Sequence, residues 1–66
     1  MTRRPYDIHI ARRGQSDVEV RPYIRVLATS PVRAMERGRD AVRNHGRSAL
    51  YDLTKMEARV VTLPIL

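Results

Sequence analysis

The chain has 66 residues, 13 of them lysine or arginine against 7 aspartates and glutamates, for a formal charge of +6. A chain this short makes one domain, residues 1–66, and buries only about 60% of the surface its unfolded form exposes, so its stability margin is thin. It has no cysteine for a disulfide or a thiolate metal site, and no run near the roughly 18 apolar residues of a membrane span.

Residues 6–12 alternate. Tyr6, Ile8 and Ile10 fall on one face, with Asp7, His9 and Ala11 on the other, the period-2 pattern of a half-buried strand. The cluster Arg13-Gly14-Gln15-Ser16-Asp17 reads as a turn. Alternation resumes over residues 18–28, which places Val18, Val20, Ile24, Val26 and Ala28 on the apolar face. Glu19, Arg21, Tyr23, Arg25 and Leu27 fall opposite, and the two strands form a hairpin. Pro22 cannot donate to a ladder, so the second strand is expected to kink there while keeping its phase.

Ser30-Pro31 is the sharpest local signal, an N-cap followed by proline at the first helical position. The spacing predicts a helix over residues 31–45, packed through Met35, Gly38, Ala41 and Val42 with Ala34 and Val32. Gly46 is placed to stop it. Residues 47–56 fit either a short strand or a helical turn, and residues 57–63, rich in β-branched side chains, read as the last strand. The expected fold is α+β: a small antiparallel sheet with one helix on one face, ordered β-β-α-β, with room for an extra short strand before the last.

Catalytic machinery is not evident. Asp7 and His9 share a strand face, but no nucleophile or orienting group stands beside them, so no enzymatic activity is expected. His9 and His45 lack metal-ligand spacing, and Gly14, Gly38 and Gly46 are too isolated to cradle a phosphate. No cofactor or metal is implied.

The charge points to binding. Lys55 is the only lysine, so the other 12 basic residues are arginines, whose planar forks bind phosphates and stack on bases. Arg21-x-Tyr23-x-Arg25 places a ring between two guanidinium groups on the face away from the helix. This is a candidate stacking platform for single-stranded nucleic acid, extended by Arg12 and Arg13. Glu19 and Asp7 on that face leave two other readings open, a solvated face of cross-strand ion pairs or a dimer interface. On the helix, the basic strip Arg33, Arg37, Arg39, Arg43 and Arg47 offers phosphate contacts, while Glu36 and Asp40 at three-residue spacing suit ordinary surface ion pairs.

The segment Val26-x-Ala28-x-Ser30-Pro31-x-x-Ala34, followed by a helix and a terminal strand, resembles in pattern the DpnD/PcfM-like proteins of phages and plasmids. In size and strand–helix order the chain is also similar to several compact anti-CRISPR proteins. The resemblance implies a mobile-element accessory protein that contacts nucleic acid or a host nucleoprotein complex. Mimicry of DNA is not implied, because mimics are acidic and this chain is basic.

Two functional expectations follow. The first is a non-enzymatic binder of nucleic acid or a nucleoprotein complex. The second is a protein-interaction module, such as a phage-encoded inhibitor of a host protein or a dimeric accessory subunit. Residues 1–5 carry charge without the apolar segment of a secretory signal, so a cytoplasmic setting is expected. The thin core and the apolar tail favour a homodimer that buries Leu63, Ile65 and Leu66 or pairs strand edges.

Overall fold

The computed structural model describes residues 2–62. Leu63, Ile65 and Leu66 of the expected tail interface lie outside them. The elements run β1 (Arg4–Arg12), β2 (Ile24–Ala28), α1 (Pro31–Asn44) and β3 (Tyr51–Val60). The strands form one antiparallel sheet in the order β2-β1-β3. The expected α+β class and the β-β-α-β order are borne out. Since β2 and β3 both oppose β1, they run parallel to each other, and α1 is the crossover that carries the chain over β1 from one edge to the other. No helix among the described residues is long and apolar enough to cross a membrane.

The central strand supplies the core. Tyr6, Ile8 and Ile10 are buried on the helix side with Ala28, Ala34 and Val42. Ile8, Ile10 and Val42 are the largest fully buried side chains, so the core is as thin as the chain length implies. Small residues let the helix lie close. A β carbon built on Gly38 would stand 2.7 Å from Ile8 Cγ2.

Both helix ends follow their local chemistry. Ser30 is extended and its hydroxyl accepts from the Arg33 amide at 3.2 Å, ahead of Pro31. At the other end His45 is the C-cap and Gly46 takes a φ of 68°. The Gly46 amide donates to the Arg43 carbonyl and the Arg47 amide to that of Val42, each at 3.0 Å. That pair of bonds is a Schellman motif, which needs the left-handed conformation glycine allows. Val32, expected in the apolar stripe, is exposed instead. It lies about 120° around the helix from the buried line of Ala34, Gly38 and Val42.

The second strand is shorter than expected. Residues 18–23 are not strand, and Val20, assigned to the core face, is 89% exposed. The cause is Pro22, which lacks the donor that a continuous ladder requires. The Tyr23 amide donates at 2.7 Å to the carbonyl of Ile8, the residue that Ile24 already faces. Two residues therefore oppose one, a bulge that aims consecutive side chains the same way. The chain rejoins β1 where the Glu19 amide donates to the Ile10 carbonyl, so residues 20–22 stand off the sheet.

Residues 47–56 resolve into a turn and the start of β3 rather than a separate strand. The register with β1 jumps between Ile10, which faces Met56, and Ala11, which faces Asp52. Residues 53–55 are extruded. Asp52 Oδ1 accepts from both the amide and the hydroxyl of Thr54, the side-chain turn that holds the extrusion.

On the face away from α1, Arg25 donates to both carboxylate oxygens of Asp7, at 2.8 and 3.4 Å. The guanidinium holds the Asp7 carboxyl below the ordinary 3.8, with burial opposing. Thr54 does the same for Asp52 through its hydroxyl and amide. A depressed folded-state pKa stabilises the protein fully above the unfolded value and is lost as pH falls through the folded one. The urea midpoint is expected to hold from about pH 7 to 5 and to fall below about pH 4 on account of these carboxylates. Asp7→Asn should flatten that fall. A slope unchanged in Asp7→Asn would remove this ion pair from the acid response. The effect is modest, because both partners reach solvent.

Candidate functional site

The bulge at Tyr23 builds the one surface where aromatic rings and free arginines meet among the described residues. Turned to the helix side, Tyr23 packs half-buried against the core. Its hydroxyl hydrogen-bonds His45 Nδ1 at 2.5 Å, at the helix C-cap. Its ring meets the edge of Tyr51 with centroids 5.1 Å apart and planes at 72°, the favoured T-shaped arrangement. Tyr51 reaches that position because Arg12 faces it across the β1–β3 ladder, after the extrusion has reset the register.

Two adjoining depressions share Tyr23, Tyr51 and Pro22. One, of about 350 Å³, is walled by Ile10, Arg12, Glu19, Val20 and Arg21. The other runs to His45 and Arg47. Together they form a groove with a tyrosine floor, a wall of Val20 and Pro22, and a basic rim. Arg12 is held by Glu19 at 2.8 Å, whereas Arg21 and Arg47 make no ion pair with any described residue. Tyr51 also borders a third depression with Arg13 and Arg43. There the Arg13 guanidinium donates to the Ser48 carbonyl.

The expected platform is rearranged. Arg12, Arg21 and Tyr23 do come together, but on the helix side of the sheet rather than the opposite face. Arg25 is on that opposite face, bound to Asp7. Arg33 pairs with Glu36 at 3.2 Å, and Arg37 lines a separate hollow with Arg3, Ile24 and Leu27. Arg13 stands at the far side of Tyr51. Tyr51 is not singled out in the sequence, whereas Arg47 reads there as the end of the helix's basic strip and His45 only as an isolated histidine. The readable signal was the proline before Tyr23, since a bulge there reverses the face of the ring and carries it towards the end of the helix.

Asp7 and His9 do not form a dyad. Asp7 turns to Arg25, and the His9 ring is buried, its Nδ1–H donating to the Glu19 carbonyl at 3.0 Å. That bond, with Lys55 donating to the Gln15 carbonyl at 3.1 Å, folds the β1–β2 loop back against the sheet and fixes the groove wall. Compared with known proteins, the chain matches no family model, no curated protein and no solved structure.

Proposed function

We propose that the protein is a non-catalytic binder of single-stranded nucleic acid, with the Tyr23–Tyr51 groove as its contact surface. The observation that carries this reading is the edge-to-face tyrosine pair set between Arg21 and Arg47, two guanidinium groups without acidic partners among the described residues. Aromatic faces hold unstacked bases regardless of sequence, and arginines beside them hold the backbone. A groove of this shape admits a flat base, whereas a duplex presents only its stacked exterior. The mobile-element resemblance points the same way, towards an accessory protein working on nucleic acid or a nucleoprotein complex.

The test is fluorescence anisotropy on short unstructured oligonucleotides across a salt series, with a duplex beside them. Binding should weaken steeply with salt, by a log–log slope of about −0.7 for each phosphate neutralised. Arg21→Ala and Arg47→Ala should each make that slope shallower by roughly one contact. Arg25→Ala and Arg33→Ala, whose guanidinium groups are already engaged elsewhere, should change it less. Wild-type binding no tighter than about 100 µM at low salt overturns the proposal.

A further inference from the structure

β3 is an edge strand of the sheet, and edges this long are normally guarded by charge against pairing. Beyond the extruded residues its charges are Glu57 and Arg59, on the face away from α1. In the isolated chain Glu57 and Arg59 satisfy each other, at 2.7 Å. Which backbone groups point outward follows from the ladder. The Val61 amide donates to the Pro5 carbonyl, so the hydrogen-bonded partners of β1 are Val61, Arg59 and Glu57, in steps of two. The amides and carbonyls of Met56, Ala58 and Val60 therefore face outward.

We propose that two copies pair antiparallel through β3 about a two-fold axis at Ala58, joining two three-stranded sheets into one. In this register each Ala58 exchanges both backbone hydrogen bonds with its counterpart, and Met56 and Val60 do so with each other. Glu57 of each copy faces Arg59 of the other, twice over by symmetry. On the helix side Met56 meets Val60, which is 49% exposed in the single chain. The neighbouring registers fail on charge. Centring on Glu57 sets two carboxylates together, and centring on Arg59 sets two guanidinium groups together. β2 is a poorer edge, because it begins at the bulge of Tyr23, beside the donor-less Pro22.

Sedimentation equilibrium of the full chain tests this through charge reversal. Glu57→Arg and Arg59→Glu each place like charges opposite one another at two symmetric positions, and each should weaken the dimer by about tenfold or more. Mixing the two variants in equal amounts should restore dimers, as heterodimers in which every facing pair is again opposite in charge. The double variant carrying both changes should dimerise alone. Circular dichroism of each single variant checks its fold, and recovery on mixing excludes misfolding as the cause of dissociation. The proposal is overturned by a wild type that stays monomeric at about 500 µM. It is equally overturned by a dimer that ignores both reversals, or by single variants that dissociate and do not recover on mixing.

Discussion

Gly38→Ala is expected to destabilise the protein by about 1–2 kcal/mol, although alanine is the better helix former. In an exposed helix the exchange gains roughly 1 kcal/mol. Here the new methyl would lie 2.7 Å from Ile8 Cγ2 and 3.2 Å from Met56 Cε. Met56 ends in a flexible thioether and can give way. Ile8 cannot, because it is fully buried and Cγ2 branches from its β carbon, so relief means leaving a rotamer well or lifting the helix. Overpacking of this kind costs about 1–3 kcal/mol, a large share of the roughly 3–10 kcal/mol a chain of this size commands. Urea denaturation measures it. A second variant fixes the cause. Ile8→Ala alone should cost about 2–5 kcal/mol, but in that background Gly38→Ala should become stabilising, because the clashing methyl is gone. A change of sign is the expected result. If Gly38→Ala stabilises the wild type, the helix does not approach β1 this closely.

The same close approach explains why the fold was legible in the sequence. The alternation of Tyr6, Ile8 and Ile10 and the helical spacing of Ala34, Gly38 and Val42 describe two surfaces that fit only each other, and Ser30-Pro31 and Gly46 mark where the second begins and ends. Local signals and the tertiary result agree there, the consistency that makes a short chain foldable. What was not legible lay at the two irregularities. Residues 18–21 alternate as well as any strand, yet one missing donor at Pro22 ends the ladder and leaves Val20 in solvent. Likewise the three extra residues 53–55 join what read as separate segments into one strand. A period-2 count carries no information about a bulge, because the bulge changes the phase without changing the residues.

The candidate site depends on those two irregularities, which is why the sequence disclosed only part of it. With an unbroken second strand, Tyr23 would share a face with Arg25 and Asp7. With the bulge it shares one with Tyr51 and with His45 at the helix C-cap. The extrusion at residues 53–55 then sets the register that faces Tyr51 with Arg12. Each departure from regular pairing re-aims a tyrosine, and together they turn two scattered rings into a floor. Bulges beside functional surfaces commonly serve this purpose. The arginines could be counted in the sequence, but which of them stay free could not, because that depends on which acids the fold brings within reach.

Removing the ring of Tyr51 is expected to weaken binding of an unstructured oligonucleotide by about 1–3 kcal/mol, or roughly 5- to 150-fold. Tyr51 borders all three depressions of the basic surface, so a base resting anywhere along the groove meets it. The substitution must separate stacking from folding, since Tyr51 also packs against the core. Tyr51→Leu keeps an apolar side chain there and removes the π-face, while Tyr51→Phe keeps the π-face and removes only the hydroxyl. Leucine should therefore lose most of the affinity and phenylalanine little, with thermal melts confirming that both fold. Neither change touches a charge, so the salt slope should stay at the wild-type value, unlike that of Arg21→Ala or Arg47→Ala. Tyr23→Leu should show the same pattern. Because the two rings lean on each other at 5.1 Å, the double leucine variant should lose less than the sum of the singles. Affinity that survives both leucine substitutions and still tracks salt would mean that phosphates meet the arginines without any base in the groove. The tyrosine floor would then serve the fold alone.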